Sequence, residues 1–205
     1  MLMQSKRPVK KLRIGITGGI GSGKTLACKY FRQLGYKVIY ADDIAKQLYR
    51  TNKNLKRKLV NEFGEGILDK NGNISGSNSR RIIFSGRKNI KRVNKIVHPF
   101  VIKEIDRLIS GIKNKTILIE TAIMFESGYY KKLDYTVLIY ANKENRIKRV
   151  RKRDKVSAAE IKKLMKLQMD EREKLKLADF VIKNNSTSKC LYGSIKSFNK
   201  ILSRL

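Results

Sequence analysis

A run of eight residues near the start of the chain has the composition and spacing of a phosphate-binding loop. The run begins at Gly18, ends at Thr25 and fits the pattern G-x-x-x-x-G-K-[ST]. Glycines let a backbone turn tightly and point several N–H groups at one anion. Lys24 would then reach the β- and γ-phosphates of a nucleotide, while the Thr25 hydroxyl would bind Mg²⁺. We therefore expect a nucleotide to be bound by Gly18, Gly19, Ile20, Gly21, Ser22, Gly23, Lys24 and Thr25.

The residues on either side of this loop predict a strand before it and a helix after it. An apolar stretch at 12–17 indicates a short strand, and apolar residues on one face predict a helix over 25–34. A second strand at 37–41 and a helix from 43 follow, an alternation that is typical of a parallel sheet. Further apolar runs predict strands at 116–120, 135–140 and 179–183. The sequence therefore predicts an α/β fold with a parallel five-stranded sheet flanked by helices.

The segment between the second and third strands has helical patterns and no apolar core strand. Helices are predicted over 54–63, 80–97 and 99–112. We expect a break at His98–Pro99, because the residue before a proline disfavours the helical conformation. Such a helical insertion is of the kind that covers a substrate. After the fourth strand, helices are predicted over 143–153, 158–169 and 188–205.

The composition argues against several classes of protein. The chain has 205 residues, of which 41% are hydrophobic, so one core domain with inserted subdomains is expected. No apolar run approaches the ~20 residues of a membrane span. Cys28 and Cys190 are too few for a disulfide framework, and the single histidine, His98, leaves a zinc site without ligands.

The chain is strongly basic, with 48 Lys and Arg against 17 Asp and Glu and a formal charge of +31. One interpretation is a nucleic-acid or polyphosphate partner. The other is a general bias in composition, which we favour because lysines are scattered through nearly every segment without a long basic block. We therefore expect no specific nucleic-acid partner, and we interpret residues 1–11 as a basic tail.

A carboxylate, Asp42, follows the second strand. Ligands of doubly wound sheets bind at the carboxyl ends of the strands, so Asp42 is a candidate to accept a proton from an attacking hydroxyl. The alternative role is structural, with Asp42 or Asp43 capping the N-terminus of the next helix. The residues alone leave both interpretations open.

Several short motifs outside the loop occur in a characteristic order. They are Ala41-Asp42-x-Ile44-Ala45, His98-Pro99, Phe125-Glu126, Arg149-x-x-x-Arg153-Asp154 and Ala178-Asp179-x-Val181-Ile182-x-Asn184. In the order and spacing of these motifs, the chain resembles the dephospho-CoA kinase family over residues 12–185. That family transfers the γ-phosphoryl group of ATP to the 3′-hydroxyl of the dephospho-CoA ribose, the last step of coenzyme A synthesis.

The resemblance implies a P-loop kinase with a nucleotide-binding core, a helical substrate domain for the CoA moiety and a small helical lid. The implied core comprises 12–50, 114–142 and 178–205. The substrate domain is expected at 51–113, and the lid with the helices that follow it at 143–177. The resemblance also implies ATP as co-substrate, Mg²⁺ and dephospho-CoA as acceptor. The two cysteines indicate a reducing compartment, and we expect a cytoplasmic location.

The resemblance further implies catalytic roles for four residues. Lys24 matches the loop lysine and Asp42 the family's candidate base, while Arg149 and Arg153 match lid arginines that close over the phosphates. Positions 149 and 153 are four residues apart and therefore share one helix face. The other basic residues of this helix, Arg146 among them, are expected on a solvated face.

Substrate and metal ligands follow from the same resemblance. Arg81 and His98 lie in the substrate-facing segment, although His98 has the alternative of merely preceding a helix that begins at Pro99. Thr25 and Glu120 are the candidates for binding Mg²⁺. Glu126 is assigned no role beyond that of a surface residue or helix cap.

The chain departs from the family's pattern at three places. Tyr40 and Glu120 both stand where the family usually has Asp, and Ala122 stands where it has Pro. The change at Tyr40 leaves Asp42 as a single base, and Glu120 keeps the negative charge one methylene further from the backbone.

Two other functions fit parts of the sequence. One is another nucleotide or metabolite kinase of the same architecture. The other is a P-loop nucleic-acid-binding protein whose basic surface is its function.

Overall fold

The computed structural model describes residues 11–83 and 86–205, apart from the side chains of Arg80, Arg81, Ile83 and Arg87. The predicted basic tail lies outside the described residues, except for Lys11. No helix within the described part of the chain is both long enough and apolar enough to cross a membrane.

Strands and helices alternate at both ends of the described chain. The strands are β1 (Leu12–Thr17), β2 (Lys37–Tyr40), β3 (Thr116–Glu120), β4 (Tyr135–Tyr140) and β5 (Phe180–Lys183). The helices are α1 (Lys24–Gln33), α2 (Ala41–Thr51), α3 (Lys53–Phe63), α4 (Gly76–Ile83), α5 (Arg87–Gly111), α6 (Lys143–Asp154), α7 (Ala158–Lys166), α8 (Glu171–Leu177) and α9 (Ser188–Leu202). The short helix α8 is missing from the sequence-based prediction.

The described strands form one five-stranded sheet in the order β2-β3-β1-β4-β5. The central strand β1 runs parallel to β3 and β4, with Ile14 opposite Leu118 on one side and Tyr135 on the other. Ile14, Leu118 and Leu138 have no exposed surface, as expected for parallel strands that are covered by helices on both faces. The predicted α/β fold with a parallel five-stranded sheet is therefore confirmed.

The described residues divide into two compact units. The first contains 11–39 and 112–205 and includes the sheet, except for Tyr40 at the end of β2, together with α1 and α6 to α9. The second, Tyr40–Gly111, is helical and contains α2, α3, α4 and α5. Helix α2 thus belongs to the second unit, whereas the sequence analysis assigns all of its residues except Thr51 to the core. The functional division into core, substrate domain and lid stays a prediction.

Helix α5 is continuous, so the predicted break at His98–Pro99 is wrong. A proline inside a helix costs about 3 kcal/mol, because it removes one hydrogen bond and crowds the preceding turn. Burying one aliphatic side chain is worth about 1.5–3 kcal/mol, so several buried side chains outweigh that cost. The apolar residues buried at every fourth position of α5 are Val93, Val97, Val101, Ile105 and Ile109.

Candidate active site

The predicted phosphate loop joins β1 to α1. Gly23 caps α1 in the left-handed conformation, with φ of +97°, which a residue with a side chain rarely adopts. At the other end of the loop, a Cβ on Gly18 would overlap the carbonyl oxygen of Ile139. Both glycines are therefore required by the path of the backbone, and the strand–loop–helix context expected from the sequence is confirmed.

The loop opens into a cavity of about 430 Å³, a size typical of small-ligand sites. Its walls include Arg149 and Arg153 of α6 together with Lys24 and Thr25. Ala122 and Gln168 also line the cavity, so segments far apart in the sequence meet at the loop. The structure thus brings the predicted loop and both predicted arginines together at one cavity. Their catalytic roles stay predictions.

Lys24 and Glu120 lie together beside the loop. The Lys24 ammonium donates a hydrogen bond to the Gly18 carbonyl oxygen at 2.8 Å and lies 3.8 Å from Oε1 of Glu120. Both side chains are largely buried, with 12% and 9% of their surface exposed. Burial, and secondarily the charge of Glu120, raises the pKa of the nearby Cys28 thiol to about 12, so this cysteine is a neutral packing residue.

Arg149 is held by the end of β5. Its Nη2 donates to the main-chain oxygen of Asn184 at 2.9 Å, and the Asn184 amide donates to the Ser22 carbonyl oxygen at 2.8 Å. Arg153, one turn further along α6, is mostly exposed and donates two hydrogen bonds to Asp154. Within the described residues, Arg149 is therefore held by contacts with a distant segment, whereas Arg153 pairs with its neighbour in the sequence.

Arg146 does not lie on a solvated face, which corrects the sequence-based interpretation. It is 5% exposed, and its Nε donates to the Ile20 carbonyl oxygen at 2.9 Å. Its other partner is Glu171, 3.0 Å from Nη1. The interpretation is wrong because the spacing of residues along a helix identifies which basic residues share a face but does not show which face is covered by a distant segment.

Glu126 is also not merely a surface residue or cap. Its Oε1 accepts a hydrogen bond from the Met169 N–H at 2.9 Å and lies 3.1 Å from the ammonium of Lys174, which is fully buried. These contacts span more than 40 residues of sequence, so local patterns could not reveal them. The only available signal was the Phe125-Glu126 motif itself.

Asp42 lies in the first turn of α2, in the helical unit. Helix α2 begins at Ala41 and its cap residue is Tyr40, which makes no side-chain capping bond. The proposed capping role of Asp42 or Asp43 is therefore wrong, since both residues lie within the helix. The exposed Asp42 carboxylate sits where the helix dipole favours negative charge. Burial, and secondarily the Asp42 charge, raises the pKa of Tyr49 to about 12.

His98 lies in the interior of α5, so the alternative in which it precedes a helix is also wrong. Its Nε2 is buried and has no hydrogen-bond partner among the described residues, and burial lowers its pKa. An unpaired buried nitrogen is a candidate ligand contact. The side chain of Arg81, the other predicted substrate ligand, lies outside the described residues.

The predicted Mg²⁺ ligands offer suitable oxygen atoms. Thr25 is exposed in the first turn of α1, and the Glu120 carboxylate ends β3 in the same unit. Mg²⁺ commonly takes only one or two protein oxygens and completes its shell with phosphates and water. The described residues contain no group of three or more His, Cys, Asp or Glu that could hold a metal ion. The roles of Thr25 and Glu120 as Mg²⁺ ligands stay predictions.

The chain is similar to known proteins of one family over most of its length. Residues 12–189 match the family model of dephospho-CoA kinase. The dephospho-CoA kinase of Fusobacterium nucleatum is 36% identical over 185 residues, which cover 90% of this chain and 95% of that protein. That of Aquifex aeolicus is 34% identical, with 94% of this chain and 98% of the relative covered.

Solved structures show the same likeness. A dephospho-CoA kinase from Campylobacter jejuni superposes with a TM-score of 0.67 at 30% identity, covering 94% of this chain and 97% of that one. Protein TT1252 from Thermus thermophilus gives a TM-score of 0.80 at 29% identity, with 95% and 98% covered. A shikimate kinase from Acinetobacter baumannii, at 17% identity and a TM-score of 0.51, shares the fold. The family model and the relatives each extend over most of the chain, and on that basis this protein belongs to the dephospho-CoA kinase family.

Proposed function

We propose that this protein transfers the γ-phosphoryl group of ATP to the 3′-hydroxyl of the dephospho-CoA ribose, forming coenzyme A and ADP. The cavity shared by the phosphate loop, Arg149 and Arg153 carries the proposal. Backbone N–H groups, an ammonium and two guanidinium groups are the donors that a triphosphate requires. Family membership supports dephospho-CoA as the acceptor. The proposed location is the cytoplasm, in keeping with the reducing compartment that the two cysteines indicate.

In the proposed reaction, the ribose 3′-oxygen attacks the γ-phosphorus and the bond to the bridging oxygen of ADP breaks. Asp42 orients the hydroxyl, accepts its proton and later releases the proton to solvent. Lys24, Arg149 and Arg153 stabilise the negative charge on the transferring phosphoryl oxygens. When bound by Thr25 and Glu120, Mg²⁺ would withdraw charge from the phosphate oxygens.

The test is a substrate screen coupled to ADP release, with the product identified by mass spectrometry. We expect ADP release to require dephospho-CoA and the product to carry one added phosphate. Release stimulated by another metabolite would instead favour a different kinase. Release stimulated by RNA or DNA, with a steep dependence on salt, would favour the nucleic-acid-binding alternative.

Lys24→Ala provides the test of the ATP site. The variant loses the ammonium that neutralises the phosphates, so we expect turnover to be abolished while the circular dichroism spectrum is retained. Lys29→Ala is the matched control, because Lys29 is an exposed lysine of the same helix. Activity of Lys24→Ala equal to that of the control would refute the assignment of the loop.

A further inference from the structure

We propose that Gln168 is a positioning residue of the phosphate loop, which holds the Ile20 peptide at the apex of the loop in place for the nucleotide. The proposal rests on the proposed use of this loop for ATP. It adds a residue to which the sequence motifs assign no role.

Both main-chain polar groups of Ile20 are bound by side chains from distant segments. The Ile20 N–H donates to Oε1 of Gln168 at 2.9 Å, and its carbonyl oxygen accepts from Nε of Arg146 at 2.9 Å. Ile20 stands between two glycines, and glycine-rich backbone is conformationally permissive. The apex of the loop therefore depends on these two outside contacts for its orientation.

The Arg146 contact is itself rigid. The guanidinium is buried and lies 3.0 Å from the Glu171 carboxylate. Gly19 packs directly against this pair, because a Cβ at position 19 would overlap both the Arg146 guanidinium and Glu171. The ion pair thus forms a fixed surface beneath the loop.

The segment that carries Gln168 is held by a second buried pair. The next residue, Met169, donates its N–H to Glu126, and Glu126 is in turn paired with the fully buried Lys174. The segment between α7 and α8 is therefore attached to the core immediately beside Gln168 and again within α8. A long flexible side chain on a segment anchored in this way can hold a loop amide in one orientation.

Gln168 also lines the cavity that contains Arg149 and Arg153. It therefore belongs to the wall of the nucleotide site as well as to the support of the loop. When a loop is already ordered for an anion, no binding energy is lost in ordering it. We therefore expect Gln168 to increase the affinity for ATP and the rate of phosphoryl transfer. The affinity for dephospho-CoA should not depend on it.

The test compares Gln168→Met with Gln33→Met, a control that alters an exposed glutamine in α1 of the same unit. Methionine keeps the length of the side chain and removes the acceptor. We expect Gln168→Met to raise the KM for ATP, and the dissociation constant of ADP measured by calorimetry, by roughly three- to tenfold, the value of one hydrogen bond. The KM for dephospho-CoA and the melting temperature should match those of the control.

Two results would overturn the proposal. In the first, Gln168→Met has the same ATP KM and ADP affinity as the control. In the second, all kinetic constants decline in parallel with a lowered melting temperature, which would mean a merely structural role. If the wild-type protein binds ADP but does not phosphorylate dephospho-CoA, the proposed function fails, whereas the comparison of ADP affinities still decides the role of Gln168.

Discussion

The fully buried ammonium of Lys174 permits a quantitative prediction about stability. Lys174 lies 3.1 Å from Oε1 of Glu126, whose side chain is only 18% exposed and whose Oε2 has no hydrogen-bond partner among the described residues. Lys174→Met keeps most of the buried stem and removes the charge, so the Glu126 carboxylate remains desolvated without its cation. Breaking a buried pair in this way costs about 3–5 kcal/mol.

The assay is urea unfolding followed by circular dichroism, together with thermal melting. In a chain of this length, 1 kcal/mol corresponds to about 2–4 °C, so we expect the melting temperature of Lys174→Met to fall on the order of 10 °C. Lys176→Met is the control, because Lys176 lies in the same helix, is 74% exposed and pairs at the surface with Glu173. Its free energy of unfolding should change by less than about 0.5 kcal/mol.

A second substitution separates the charge effect from the loss of packing. Adding Glu126→Gln to Lys174→Met removes the unpaired charge and keeps an oxygen that can accept from the Met169 N–H. Neutral replacement of a whole buried pair is often close to neutral in stability, so the double variant should recover to within about 1 kcal/mol of the wild type. A double variant no more stable than Lys174→Met, or a Lys174→Met as stable as the Lys176→Met control, would refute the reasoning.

Three further predictions concern the candidate site. Asp42→Asn should lower kcat by about 10²–10⁴, the usual contribution of a general base, and leave ATP affinity unchanged; a wild-type kcat in the coupled assay would remove Asp42 from the mechanism. Arg149→Ala and Arg153→Ala should each lower kcat more than they raise KM. Of the two, Arg149→Ala alone should also lower the free energy of unfolding, by about 1.5–3 kcal/mol, because Arg149 donates a hydrogen bond to the residue that follows β5. Equal stabilities of the two variants would contradict this. Because burial lowers the pKa of His98 in the folded state, its contribution to stability is present above its unfolded pKa of about 6.5 and is lost as the pH falls through the lowered folded value. As the pH is lowered below about 6.5, the free energy of unfolding should therefore decrease more steeply in the wild type than in His98→Leu, by at most about 1.4 kcal/mol per pH unit. Parallel pH profiles of the two proteins, measured by urea unfolding, would disprove this prediction.

The local parts of the fold could be predicted from sequence, and the long-range parts could not. The loop from Gly18 to Thr25 and the strands follow from motif and apolar periodicity, which depend on neighbouring residues. Helix α5 continues through Pro99 because burial of its apolar face outweighs the cost of a proline inside a helix. Sequence rules that consider only neighbouring residues include the cost of the proline but not the burial. The buried states of Arg146 and Lys174 depend on partners brought in by the fold, so a count of basic residues treats both as surface charges.

The packing of Gly19 on the Arg146–Glu171 pair also constrains how this sequence can diverge. Position 19 is one of the variable positions of the loop motif, yet here a side chain would overlap the Arg146 guanidinium and the Glu171 carboxylate, which are paired with each other. Enlarging residue 19 alone would displace the guanidinium from Ile20, and shortening Arg146 alone would remove the same contact and leave the Glu171 carboxylate without its cation. A side chain at position 19 therefore requires changes at both 146 and 171, so the residue allowed at a motif position is set by a helix more than 120 residues away.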